Sequence, residues 1–411
     1  MPVGAVSPEQ AIRDFLLLNR GQPLAVAVSG GGDSMALLHL LAGRVALAAV
    51  TVDHGLRPEA AAEAAGVAAV CAGLGVPQGT LQWRWDGTGN LSDKARRGRL
   101  ALIGGWARAR GIGVVALGHT ADDQAETFLM RLARGSGVDG LAAMASERRA
   151  EGVAWVRPLL EVRRGALRDY LTGRGVTWHD DPTNDDAAYL RVRARAALVA
   201  LEPLGIGVEQ LGDTAFRLGM ARKALERLAH DLARDIAMVQ CGDVVIDREA
   251  LPQAPLETQL RLLAHGIGWV ASADFRPRLH ALMEARAALL VGKRRTLGGC
   301  LLSATKRHIR IAREPNAVAG LRGAVFEVWD RRWQLFGPES HGLQVAALGE
   351  AGLGLCAGWR ASGMPRASLT ASPAVWHGDQ LVAAPLAGMA NGWRAELAEG
   401  SDSLFTSLLS H

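Results

Sequence analysis

The stretch Ser29-Gly30-Gly31-Gly32-Asp33-Ser34 sets three glycines and an acid directly behind an apolar run, Leu24 to Val28. Glycines let the backbone take positive φ and approach an anion closely, and a helix starting there offers free N–H groups and the positive end of its dipole. Phosphate is the guest that such a turn suits. Loops of the GxxxxGK[ST] kind add a lysine for the β and γ phosphates. Here Asp33 stands in the loop instead, flanked by Ser29 and Ser34. A carboxylate beside phosphates is repelled unless a divalent cation lies between them, so Asp33 is expected to be a Mg2+ ligand in a loop that cradles a departing pyrophosphate. The alternative is a plain strand-to-helix turn in which Asp33 or Ser34 caps the helix. A dinucleotide fingerprint is unsupported, because Met35 stands where GxGxxG needs a small residue.

The elements that must hold this loop follow from the apolar pattern. Strand-like runs Leu24–Ser29, Val45–Asp53, Thr80–Trp85 and Val114–Gly118 alternate with segments long enough to be crossover helices. That alternation predicts an α/β fold, a parallel doubly wound sheet with ligands at the carboxyl ends of its strands. At 411 residues the chain is expected to form two or three domains. Three are predicted: 1–205 as the catalytic part, 206–314 as a helical or α+β part, and 315–411 as a small strand-containing tail. No run approaches the roughly 18 apolar residues of a membrane helix. The start resembles no secretory signal, and four scattered cysteines fit a reducing cytoplasm. Of the 46 basic residues 42 are arginine, because lysine occurs only at 94, 223, 293 and 306, and the net charge is +5. Arginine's planar fork suits phosphate and base edges, although a compositional bias toward Arg, Ala and Gly explains the count equally well.

Further polar motifs fall at the ends of those strands. In chain order they are VDHGLR (Val52–Arg57), ARRGR (Ala95–Arg99), GHTADDQAET (Gly118–Thr127), RPLL (Arg157–Leu160) and DPTNDDAAYLRVRAR (Asp181–Arg195). Together with SGGGDS, this set resembles the PP-loop ATP pyrophosphatases, and within them the tRNA(Ile)-lysidine synthase family, over roughly the first half of the chain. Two motifs depart from the family pattern: ARxxRY ends here in Leu100, and RNxIR carries Val192 and Ala194 where the family has Asn and Ile.

The resemblance implies that ATP adenylates the C2 oxygen of the wobble cytidine in a CAU-anticodon tRNA(Ile). Free L-lysine then displaces AMP through its ε-amine, and pyrophosphate is the other product. An amine with a pKa of ~10.4 arrives protonated and must be held and deprotonated, which calls for carboxylates. Asp122, Asp123 and Glu126 supply them at the start of a helix that Thr120 is expected to cap. Asp123 and Glu126, three apart, share a face and can accept from one ammonium, while Asp122 assists the metal or the base chemistry. A capping box between Thr120 and Asp123 is the competing reading. His119 is assigned to phosphate or ribose, and Asp53 and His54 to adenosine or substrate unless they only shape a turn. Arg96 and Arg99 share a helical face and can neutralise the polyphosphate, as can Arg191 and Arg195 AMP, tRNA phosphate or a carboxylate. The alternation of Arg191, Arg193 and Arg195 also fits a strand or extended loop with a solvent face.

Farther on, GKRRTLGGC and TKRHIRIAR bring Lys293, Arg294, Arg295, Lys306, Arg307, Arg310 and Arg313 close together in sequence. Arg294, Arg295, Lys306 and Arg307 are the expected grip on a tRNA backbone. The tail's Trp329, Trp333, Trp359 and Trp393 are expected in the core, with base stacking as the alternative.

Overall fold

In the computed structural model, which describes residues 6–55, 60–179, 188–273, 276–338 and 341–409, the chain divides into two units, Met1–Arg222 and Lys223–Ser410. In the first, strand β1 (Leu24–Ala27) sends Leu24 and Val26 into one apolar layer and Ala25 and Ala27 into another. A strand buried on both faces needs that continuous apolar character. Around it run α1 (Pro8–Asn19), α2 (Gly32–Leu41), β2 (Leu47–Asp53), α3 (Ala60–Gly73), β3 (Gln78–Gln82), α4 (Leu91–Arg108), β4 (Val114–Ala116) and α5 (Ala121–Leu132). After α6 (Val138–Leu141) come the hairpin β5 (Glu147–Ala150) and β6 (Val153–Val156), then α7 (Arg164–Thr172) and α8 (Leu190–Leu201).

The strand order is β3-β2-β1-β4-β6-β5. All neighbours are parallel except the edge strand β5. Connections therefore run one way from β1 through β2 to β3 and the other way to β4, which makes the gap between β1 and β4 the switch point where such sheets bind ligands. The Asp33 loop follows β1, and Gly118-His119 follows β4. Gly118 is required there: a Cβ on it would lie 2.9 Å from the carbonyl carbon and oxygen of Asp33.

Two expectations need correction. The second and third strands lie at Leu47–Asp53 and Gln78–Gln82, because pairing of Ala49 with Gln78 sets their common frame. The segment carrying Arg191, Arg193 and Arg195 is a helix, α8, neither strand nor loop. Its alanine-rich sequence favours that state, and Ala194 and Leu198, one turn apart, give it a buried stripe. Arg191 and Arg195 thus share one face.

The second unit begins within the long helix α9 (Val208–Ile236). An antiparallel sheet of order β7-β8-β11-β10-β9 is formed by β7 (Ala237–Gln240), β8 (Asp243–Asp247), β9 (Arg295–Leu297), β10 (Cys300–Ala304) and β11 (His308–Arg313). Helices α10 (Leu256–Ala271) and α11 (Leu279–Leu290) complete its core. A further antiparallel sheet and a two-stranded ribbon follow, packed around Trp329, Trp333 and Trp393, while Trp359 lies against a neighbouring cluster. Burial of the first three removes them as free stacking platforms. No described helix is long and apolar enough to cross a membrane.

Candidate active site

At the switch point the loop Ser29–Ser34 has a geometry that suits an anion. Gly30 takes φ +87, a conformation that favours glycine. Gly31 is the N-cap of α2, and no side chain caps the helix. Ser34 Oγ donates to the Gly31 carbonyl at 2.9 Å and accepts from the Ser29 N–H at 3.2 Å, so the serines brace the loop. The capping alternative for Asp33 and Ser34 falls with this. The segment after α7 closes against the loop: the His179 N–H donates to Gly30 O at 3.0 Å, and the Trp178 ring lies 3.3 Å from where a Cβ on Gly32 would sit.

The capping box of α5 is present in full. Thr120 Oγ1 accepts from the Asp123 N–H at 3.3 Å, and Asp123 Oδ2 accepts from the Thr120 N–H at 2.8 Å. This engages one oxygen of Asp123 and leaves the other aimed at Arg164, so the structural and chemical readings of the motif coexist. Glu126, one turn on, is fully buried.

All four acids meet at one residue that sequence reasoning missed. Arg164 Nε donates to Asp33 Oδ2 at 3.0 Å, Nη2 to Asp123 Oδ1 at 2.7 Å and Nη1 to Glu126 Oε1 at 3.2 Å. Its backbone N–H donates to Asp122 Oδ2 at 2.7 Å. Arg191 Nη2 and Nε reach Asp123 Oδ1 at 2.8 Å and Glu126 Oε2 at 2.5 Å, and Arg195 Nε reaches Glu126 Oε1 at 2.6 Å. A signal for Arg164 did exist in the sequence. Arg163-Arg164 opens α7, where cations oppose the helix dipole, so a nearby concentration of acid is needed to hold them.

The electrostatics follow from these contacts. Burial raises the Asp33 carboxyl above the usual carboxylate range against the pull of Arg164, with Asp123 and Asp122 adding to the rise. For Asp123 burial pulls the same way, but Arg164, Arg191 and the Thr120 N–H outweigh it and its pKa is lowered. Arg164 is partly buried too, yet Asp123, Asp33 and Glu126 hold its proton more firmly than usual. His119 is pushed down to about 4 by burial, with Arg157, Arg191 and Arg96 acting in the same direction against Asp123. It is therefore neutral near pH 7, and its Nδ1 is buried without a hydrogen-bond partner.

The other sequence-predicted residues are less closely tied to this centre. Asp53 is occupied in shaping the turn after β2, accepting from the Gly55 N–H at 2.9 Å and Gln82 Nε2 at 3.0 Å, with His54 beside it. Arg96 and Arg99 are exposed on α4. In the second unit Lys293, Arg294, Arg295, Lys306 and Arg307 are exposed, whereas Arg310 and Arg313 turn inward to Asp243 and Asp330 and leave the basic patch. Leu56 and Arg57 of VDHGLR, and Asp181 to Ala187, where Pro182 and Asn184 are expected from the sequence to form a rigid turn, lie outside the described residues.

Among the described residues no three His, Cys, Asp or Glu side chains gather as a metal cage. Asp33 and Asp122 act on one another electrostatically. One or two carboxylates are what Mg2+ takes when phosphates and water supply the remaining ligands.

A family model described as a PP-loop domain matches residues 6–202. A protein of Ruegeria pomeroyi named tRNA(Ile)-lysidine synthase is 50% identical over 394 residues, 94% of either chain. One of the same name from a Bradyrhizobium species is 36% identical over 77% of this chain and 96% of its own. Another, from Mesorhizobium japonicum, is 37% identical over 89% of this chain and 85% of its own.

Proposed function

Since the chain belongs to the tRNA(Ile)-lysidine synthase family, we propose that it is a ligase that joins free L-lysine to C2 of the wobble cytidine of CAU-anticodon tRNA(Ile), using ATP and releasing AMP and pyrophosphate. The observation that carries this reading is the convergence on Arg164 of the phosphate-loop acid, Asp33, with the α5 acids Asp122, Asp123 and Glu126. Nucleotide and amine sites are thereby adjacent, as a two-step displacement at one carbon requires.

In this reading the loop Ser29 to Ser34 and the open N-terminus of α2 bind the polyphosphate, with His119, Arg96, Arg99, Asp53 and His54 as further nucleotide contacts. Asp33 and Asp122 are the residues that would hold Mg2+, which when bound neutralises charge on the phosphates. Asp123 and Glu126 receive the ammonium of lysine, and a carboxylate of this group takes the proton that the amine must lose before it attacks. Arg191 and Arg195 meet the carboxylates and the incoming phosphate. Residues 1–205 carry the chemistry, Arg294, Arg295, Lys306 and Arg307 within 206–314 hold the tRNA backbone, and 315–411 form the tail. The compartment is the cytoplasm, consistent with four free cysteines. None of those cysteines stands among the site residues named here, which disfavours sulfur transfer on the same fold.

The test is direct. Purified protein given ATP, radiolabelled lysine and an unmodified CAU transcript is expected to place label in the tRNA, and a transcript with uridine at the wobble position is expected to remain unlabelled. Label from sulfide or ammonia in place of lysine would remove this assignment.

A further inference from the structure

The carboxylates assigned to the lysine ammonium are already engaged by guanidiniums on both acids. Asp123 Oδ1 takes Arg164 and Arg191, and its Oδ2 takes Thr120; Glu126 Oε1 takes Arg164 and Arg195, and its Oε2 takes Arg191. Among the described residues the four acids face four arginines, since Arg163 approaches Asp122 at 3.5 Å and Arg164, Arg191 and Arg195 take the rest. A lysine entering this set brings a further cation and must compete with guanidiniums for its acceptors. A nucleoside triphosphate brings the opposite charge.

The three arginines on Asp123 and Glu126 are not equally fixed. The Arg164 side chain is 18% exposed and bound to three acids, and its backbone is tied to Asp122. Arg191, one residue into α8, is 43% exposed. Like Arg164 it spans both acids, with its Nε on Glu126 and its Nη2 on Asp123, but from a more exposed position. Its guanidinium fork is as well suited to phosphate oxygens as to carboxylates.

We propose that Arg191 is a positioning residue that holds the ammonium subsite in the nucleotide-free protein and moves to phosphate when ATP binds, so that the nucleotide creates the lysine site. This rests on the functional reading above. Lysine binding is then a conformational equilibrium. Its apparent Kd is the intrinsic value divided by the fraction of molecules with Arg191 withdrawn, so a subsite occupied nine-tenths of the time weakens lysine about tenfold.

Calorimetric titration of L-lysine, with and without α,β-methylene-ATP and Mg2+, separates the possibilities. Wild type is expected to bind lysine at least about tenfold more tightly with the analogue present. Arg191→Ala is expected to bind lysine without the analogue, with an analogue effect within about twofold, and Arg191→Lys, which retains a cation, to keep most of the dependence. Circular dichroism of each variant checks that the half-exposed substitution leaves the fold intact. Equal lysine affinity for wild type with and without the analogue overturns the proposal while leaving the ligase reading standing. So does an Arg191→Ala protein that still needs the analogue, or a response to tRNA alone. No lysine binding under any condition, tRNA and analogue together included, overturns both.

Discussion

Two regions of this chain bury acids against arginines, and they do so differently. In the second unit Asp243 accepts from Arg310 at 2.8 Å and Ser368 at 2.6 Å, and Asp330 takes Arg313 through two bonds of 2.8 and 2.9 Å. Each acid there has its own arginine. In the first unit Arg164 touches three acids, and Glu126 is shared among three arginines. Buried ion pairs as such say little about function, because desolvation offsets most of their attraction. What distinguishes the first region is sharing. Several guanidiniums compete for the same oxygens, so added charge can repartition them, whereas a one-to-one pair has only its single arrangement to keep.

The contrast can be broken at either end. Arg310→Ala strands Asp243 in the interior, and the expected loss is about 3 to 5 kcal/mol of stability, read from urea unfolding, with KM for lysine unchanged. Burial already raises the Asp243 carboxyl, against Ser368 and Arg310. Asp33→Asn should do the reverse. We expect turnover to fall by about two to three orders of magnitude, the scale for losing one preorganised charge contact in an active site, with little change in the urea midpoint. If Asp33→Asn instead unfolded the protein while Arg310→Ala impaired only catalysis, the assignment of roles to the two regions would be reversed.

A smaller effect sharpens the comparison through pH. His119 titrates near 4 in the folded chain and near 6.5 when unfolded. Between those values the unfolded state binds the extra proton. The contribution is therefore complete above pH 6.5 and is lost as pH falls toward 4, on the order of 3 kcal/mol in all. His119→Gln should flatten that slope in denaturant titrations across the window. The smallest effect belongs to the exposed pair Arg366–Glu350, whose side chains are 59% and 63% exposed. Arg366→Ala is expected to shift stability by less than about 1 kcal/mol.

Much of the first unit was legible because its signals are local. A buried strand feeding three glycines and an acid, and Thr120 followed three residues later by Asp123, each specify their own backbone within a few positions. Arg164 was not legible as a hub, because its partner Asp33 lies 131 positions away and only the sheet's crossover brings them together. Arg191, Arg193 and Arg195 invited a period of two, and the Ala194–Leu198 stripe decided for a helix. Arg310 and Arg313 show the opposite failure. They share a cationic run with Arg307, yet they leave opposite faces of the strand, each toward its own buried acid, Asp243 for Arg310 and Asp330 for Arg313.

The central claim is that one site couples cleavage of ATP between its α and β phosphates to attachment of lysine. It is tested most directly by following [α-32P]ATP and labelled lysine in the same reaction. The prediction is AMP formed in equal amount to lysine joined to tRNA, with negligible AMP when lysine or tRNA is omitted. Label recovered as ADP, or AMP released at the same rate without lysine and tRNA, would contradict it.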